Sequence, residues 1–133
     1  MIKLLRKLGY FPRLCVWELT LACNMNCRHC GSRAGRPRDD ELTPEEAQKL
    51  CHELAALKCR WLTLGGGEPL MRRDWPEIAR TLIGLGVNVN MVTNGKAWGP
   101  DTAALVKDVG LESVAFSLDG LEGTHEYVRR SPG

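Results

Sequence analysis

The order of apolar and polar residues changes period several times along the chain. From Leu14 to Thr20 the pattern steps in twos, with Cys15, Trp17 and Leu19 on one face and Glu18 and Thr20 on the other. That is the spacing of a strand. Ala47, Leu50, Cys51, Leu54 and Leu57 then recur at helical spacing. Thr43-Pro44-Glu45-Glu46 opens this helix, with Thr43 as N-cap, Pro44 in the first turn and Glu46 completing a capping box. Arg60 to Leu64 reads as a second strand, ended by Gly65-Gly66-Gly67. Asp74, Pro76 and Glu77 start a second helix that carries Ile78, Leu82 and Ile83 and closes at Gly84 and Gly86. Val87 to Val92 is a third strand and Thr93-Asn94-Gly95 a turn. A third helix runs from about Pro100 to Val109, with Gly110 just past its end, and Glu112 to Leu118 forms a fourth strand.

Strands and helices alternating over short connections predict a parallel α/β sheet. A flat parallel sheet covered on both sides is apolar on both faces. Here Val87, Val89 and Met91 oppose Asn88 and Asn90, and Val114, Phe116 and Leu118 oppose Ser113, Ser117 and Asp119. Only the second strand, where Trp61 and Thr63 share a parity, departs from this split. The pattern predicts a curved sheet with helices outside and a largely polar concave interior, the inside of a partial barrel. No repeat beyond the alternation, no low-complexity tract and no linker is visible.

The 133 residues fit one domain with a modest core. A net charge of +2 is too small to indicate nucleic acid. Arg33, Arg36 and Arg38 are followed at once by Asp39, Asp40 and Glu41, so this segment reads as a solvated loop that binds nothing. Six cysteines would suit a disulfide-stapled secreted domain. The N-terminal stretch Met1 to Tyr10 is interrupted by charge, however, and no span approaches the ~20 apolar residues of a membrane helix. The expectation is a reducing cytoplasmic compartment with no membrane partner, where clustered cysteines serve metals or catalysis.

Cys23, Cys27 and Cys30 stand in the loop after the first strand, spaced C-x3-C-x2-C. Three thiolates are one fewer than a closed zinc site or an ordinary cubane cluster requires, and an open metal position marks a reactive site. The loop also lies at the strand end where parallel barrels build active sites. Two readings stand: an iron–sulfur cluster with one iron free, or zinc with His29 or a distant cysteine as fourth ligand. Cys15, Cys51 and Cys59 lack ligand spacing and read as small buried hydrophobes. Trp61, Trp75 and Trp98 read as packing residues. Glu18 lies on the polar face, where it can reach a substrate.

This cysteine loop resembles that of the radical S-adenosylmethionine (SAM) superfamily, whose motif is C-x3-C-x-φ-C with an aromatic φ. His29 occupies the φ position, where its ring can stack on adenine or simply order the loop. Gly66-Gly67-Glu68-Pro69 resembles the family's GGE segment, which binds the amino group of the SAM methionine. Gly65 stands where Thr or Ser is common, so any hydroxyl contact there is lost. No Gly-Lys-Ser/Thr follows, which excludes a phosphate loop. Thr93-Asn94-Gly95, Ser117-Leu118-Asp119-Gly120, Trp17-Glu18-Leu19-Thr20 and Arg129-Arg130-Ser131-Pro132-Gly133 are similar to segments of the subgroup with a SPASM extension.

The resemblance implies a [4Fe–4S] cluster on Cys23, Cys27 and Cys30. It implies S-adenosylmethionine held by His29, Gly66, Gly67, Glu68, Asn94, Ser117 and Asp119, with Ser117 toward the ribose and Asp119 behind it. It further implies an electron donor of flavodoxin or ferredoxin type and reductive cleavage of SAM to a 5′-deoxyadenosyl radical, with no residue acting as acid or base. A peptide or protein substrate fits the subgroup; a tetrapyrrole or small-molecule substrate, a zinc-stabilised binding module and a catalytically silent partner subunit are the alternatives. A full eight-unit barrel takes about 250 residues. Four strands and three helices in 133 residues are therefore expected to be the N-terminal portion of a radical SAM core, without the later barrel units and the SPASM extension.

Overall fold

The computed structural model describes residues 4, 7, 9 and 11–132, so the charge-interrupted stretch 1–10 lies largely outside the described residues. Strands β1 (Leu14–Glu18), β2 (Trp61–Gly65), β3 (Asn88–Thr93) and β4 (Ser113–Phe116) form one parallel sheet in sequential order. Helices α1 (Pro44–Ala56), α2 (Trp75–Gly84) and α3 (Pro100–Val109) connect them, and α4 (Glu122–Arg129) follows β4. This is the expected α/β partial barrel, with four helices among the described residues rather than three. Helix α4 gives no period to read: it buries no residue, and Tyr127 and Val128 are its only large apolar side chains.

Local chemistry fixes the ends of the helices. In α1 the Glu46 N–H donates to Thr43 Oγ1 at 3.2 Å and the Thr43 N–H donates to Glu46 Oε2 at 2.9 Å, closing the expected capping box. Helix α3 stops at Gly110, whose φ of 84° costs little only for a residue without Cβ. Asp74 stands at the start of α2 but makes no cap bond; its carboxylate accepts instead from Arg72 Nε and Nη2 at 2.8 and 3.0 Å.

The core lies between the convex face of the sheet and the helices. Leu19, Leu62, Leu64, Val89 and Met91 meet Cys51 of α1 and Ile78 and Leu82 of α2, and each large aliphatic contributes roughly 1.5–3 kcal/mol by burial. Trp75 is buried there, whereas Trp98 packs edge-on against Phe116 with centroids 4.8 Å apart. Cys51 and Cys59 are buried as expected and Cys15 is half-buried. Burial pushes the Cys51 thiol up to about 11, which makes it a poor nucleophile.

The concave face differs from the expectation of a largely polar interior. Register aligns Leu14 with Trp61 and Asn88, and Val16 with Thr63, Asn90 and Ser113. Leu14 and Val16 are each 77% exposed there, and Trp61 faces the same side instead of packing. Parity anchored on Glu18, the asparagines and Ser113 leaves Leu14, Val16 and Val92 uncounted. The convex pattern also ends early on β4: Val114 packs on the core, but Phe116 and Leu118 are exposed.

Candidate functional site

The site forms where the strands end. Strand β1 leads into a long loop tied at its base, where the Gly35 N–H donates to Leu21 O at 2.8 Å and the Cys23 N–H to Gly35 O at 3.2 Å. Glu41 Oε1 braces that base, accepting from Thr20 Oγ1, the Leu21 N–H and the Arg38 N–H at 2.9, 2.7 and 3.0 Å. Burial raises the Glu41 carboxyl, but these bonds and the Arg72 charge outweigh it and leave the group below its ordinary 4.5. Arg72, itself buried, donates to Leu19 O and Leu42 O at 3.0 and 2.9 Å.

The glycine loop after β2 packs on this base. The Gly67 N–H donates to Thr20 O at 2.7 Å and the Glu68 N–H to Ala22 O at 2.8 Å. A Cβ on Gly67 would stand 2.7 Å from Leu21 O and closer still to Ala22 O; one on Gly66 would meet Thr20 O. The close approach that these glycines permit is thus made first to the chain's own backbone. Glu68 is 0% exposed. Its Oε1 accepts from Thr93 Oγ1 and the Leu70 N–H at 2.8 and 3.2 Å, and its Oε2 from the Asn94 N–H at 2.8 Å. The carboxylate therefore ties the end of β2 to the end of β3 and does not face the cavity.

One cavity of about 310 Å³ collects the rest. Cys23, Cys27 and Cys30 line it with His29, and Gly66, Gly67, Asn94 and Ser117 form other parts of its wall. Glu68 and Asp119 stand behind that wall. All three thiols are free and half-buried. Each sulfur has an N–H group nearby. Met25 N–H reaches Cys23 Sγ at 3.4 Å and Ala34 N–H reaches Cys30 Sγ at 3.3 Å. Asn94 Nδ2 lies 3.7 Å from Cys23 Sγ and donates to Asn24 Oδ1 at 2.8 Å, while Arg129 Nη1 lies 3.8 Å from Cys27 Sγ. Burial pushes the Cys23 thiol up, with the Met25 bond opposing it. Among the described residues no three donors converge closely enough for a single ion. Three sulfurs spread around a cavity, each beside an N–H, fit a larger iron–sulfur group whose sulfurs accept hydrogen bonds.

Helix α4, unseen in the sequence, braces the middle of the cysteine loop. The Arg28 N–H donates to Val128 O at 2.8 Å, Arg28 Nε donates to Tyr127 O at 2.9 Å, and the guanidinium lies 4.2 Å over the Tyr127 ring. Arg129 Nε is paired with Asp119, which also lies 3.5 Å from His29 Nε2. Arg129, Arg28, Glu41 and Arg72 are the residues that pattern reading missed. Arg129 was visible only within a terminal segment marked by its likeness, and Glu41 only as an acid offsetting nearby arginines. Arg38, in the segment read as a solvated loop, pairs at the surface with Glu18, whose Oε1 accepts from Ser32 Oγ at 2.6 Å.

Residues 17–132 match the family model described as the Radical SAM superfamily. The chain is 40% identical over 124 residues to the AdoMet-dependent heme synthase of Methanosarcina barkeri, covering 92% of this chain and 36% of that protein. It is 34% identical over 125 residues to the sporulation killing factor maturation protein SkfB of Bacillus subtilis, covering 94% and 30%. Streptococcus suis SuiB, solved with S-adenosylmethionine bound, superimposes with a TM-score of 0.79 over 98% of this chain and 31% of SuiB; at 16% identity this likeness shows the fold alone. The chain spans roughly a third of the length of the curated relatives it matches. Members of the matched family use a [4Fe–4S] cluster and S-adenosylmethionine. With a family match that runs from β1 through the cysteine loop to the end of α4, the chain belongs to the Radical SAM superfamily.

Proposed function

We propose that Cys23, Cys27 and Cys30 hold a [4Fe–4S] cluster and that the adjoining cavity takes S-adenosylmethionine, in an enzyme that modifies a peptide or protein. In this reading residues 1–133 supply the N-terminal portion of the radical SAM core. When bound, the cluster and S-adenosylmethionine would supply one-electron reductive cleavage of the sulfonium C–S bond and, through it, hydrogen abstraction from substrate. The electron comes from a donor of flavodoxin or ferredoxin type.

The chain's own residues bind and orient. Three thiolates anchor the irons, and the N–H groups of Met25, Ala34, Asn94 and Arg129 stabilise the negative charge on sulfur. The Gly66–Gly67 backbone forms the rim for the methionine amino group, kept in place by Glu68 from behind. His29 faces the adenine and Ser117 the ribose, while Asp119 steadies His29 and Arg129. No side chain needs to move a proton for the cleavage. The observation that carries this reading is the meeting of three thiols and the glycine rim on one cavity. The likeness to SkfB supports a peptide substrate. The likeness to the heme synthase favours a second reading, a tetrapyrrole.

Anaerobic reconstitution with iron and sulfide is the test. One oxygen-sensitive cluster should form, its electron paramagnetic resonance spectrum should shift when S-adenosylmethionine is added, and Cys→Ala at position 23, 27 or 30 should abolish both. A colourless protein holding one tight zinc overturns the proposal. So does iron uptake that survives the alanine changes.

A further inference from the structure

Besides the cavity that carries His29 and Ser117, the cysteine loop lines two further hollows. Cys23 lines one of about 540 Å³, and Cys27 and Cys30 line another of about 310 Å³. The first hollow contains Lys96 and Arg130, the second Arg28, Arg33 and Arg130. No carboxylate lines either hollow, and among the described residues none of these four cations has a carboxylate within ion-pair distance. Arg129, on the cavity side, is by contrast neutralised by Asp119.

This asymmetry is local. The whole chain carries 18 basic and 16 acidic residues, a nearly even balance, yet four uncompensated cations gather against the three thiols. All four side chains are exposed. Their shape is held from below: Arg28 by Tyr127 and Val128, and Lys96 by Ser131 Oγ at 3.0 Å. A like-charged surface of this kind raises the encounter rate with an oppositely charged partner by roughly 10- to 1000-fold at low salt.

We infer that the outer face of the cysteine loop, formed by Arg28, Arg33, Lys96 and Arg130, docks a small acidic one-electron carrier protein that reduces the cluster. The inference rests on the cluster reading given above. The step is simple in balance: one electron leaves the carrier, which is oxidised by one, and enters the cluster, which is reduced by one. No bond is made or broken.

The test compares two reductants on the cluster-loaded protein. Stopped-flow absorbance follows reduction of the oxidised cluster by a reduced flavodoxin, and separately by photoreduced deazaflavin, a small molecule that needs no docking face. In Arg33→Glu, Lys96→Glu and Arg130→Glu the second-order rate with flavodoxin should fall about tenfold each at low ionic strength, and its salt dependence should flatten. Arg33→Gln should give a smaller drop, and the deazaflavin rate should stay at the parent value in all four. Cluster content, read from absorbance and iron analysis, confirms that each variant is folded and loaded. Flavodoxin rates equal to the parent's in the loaded reversal variants overturn the docking face and leave the cluster reading intact. Failure of the parent to form a cluster overturns both. Should the reversals abolish retention on an immobilised polynucleotide and leave the flavodoxin rate unchanged, the face serves nucleic acid and the inference fails.

Discussion

The glycine loop after β2 and the cysteine loop after β1 border the same cavity, yet they are held in opposite ways. Gly66 and Gly67 lie against the backbone of residues 19–22 with no room for a Cβ, and Glu68 beneath them is fully buried with both carboxylate oxygens bonded. The cysteine loop is tied at its base by Cys23 and Gly35 and at its middle by Arg28, and its three cysteines are half-exposed. One loop is a buried part of the fold that shapes the cavity rim. The other is a surface segment whose ties run to its own base and to α4 rather than into the core, as suits a loop proposed to gain its final rigidity from a metal group. A rim defect should therefore unfold the domain, whereas a defect in the cysteine loop should spare the domain and impair metal retention.

The largest effect is expected at Gly67. In Gly67→Ala the methyl would overlap the carbonyls of Leu21 and Ala22, and these backbone atoms cannot yield without breaking the bonds to Thr20 O and Ala22 O. The expected loss is on the order of 4 kcal/mol, enough to leave most of a small domain unfolded. Urea titration followed by circular dichroism measures it. A variant as stable as the parent would show that the rim can shift, and the contrast between the loops would disappear.

Glu41 comes next, because it braces the base that both loops share. Its folded-state pKa lies below the ordinary 4.5. The unfolded chain thus binds the proton more readily, so the stabilisation is fully present above about 4.5 and is lost as pH falls through that value toward the folded one. Glu41→Gln keeps an acceptor but loses the charge on three hydrogen bonds, which should cost roughly 1–3 kcal/mol at neutral pH. The variant should also lose part of the stability slope below pH 4.5. Denaturant midpoints measured across the acid range for both proteins check the sign. A parent and variant that converge at neutral pH instead of acid pH would contradict it.

How much of this was legible in the sequence depends on the range of each interaction. The capping box at Thr43 and Glu46 and the left-handed Gly110 are written within a few residues, and both were found. The strands were placed within a few residues because their apolar face is periodic. The three cysteines were marked by their spacing after a strand, and His29, the glycine pair, Asn94 and Ser117 by the family resemblance; each sits near a strand end, and parallel topology brings those ends to one cavity. Contacts that join distant segments left no such trace. Arg28 and Tyr127 are 99 positions apart, and neither belongs to an apolar stripe. Glu68 was assigned to the S-adenosylmethionine site through the resemblance, and nothing local shows that Thr93 and Asn94 would claim its carboxylate. The apolar concave residues Leu14 and Val16 were missed for another reason: the polar face was read from Glu18, Asn88, Asn90 and Ser113, and the apolar residues that share its parity were not counted.

The smallest effect on stability is expected at Arg28, where the comparison between the loops is sharpest. Its guanidinium sits over the exposed Tyr127 ring and its Nε bond to Tyr127 O is at the surface, so Arg28→Ala should cost below about 1 kcal/mol in urea unfolding. The same change releases the side-chain tie between Cys27 and Cys30, leaving only the backbone bond from the Arg28 N–H to Val128 O. Iron and sulfide should then load to the parent level but leave faster, with a half-life against an added chelator shortened several-fold. Tyr127→Phe, which keeps the ring and the carbonyl, should restore near-parent retention; Tyr127→Ala, which removes the ring, should resemble Arg28→Ala. If Arg28→Ala instead lowers stability as much as Gly67→Ala, the cysteine loop is as much a part of the folded core as the glycine rim. Both loops would then be structural, and metal binding would have nothing left to make rigid.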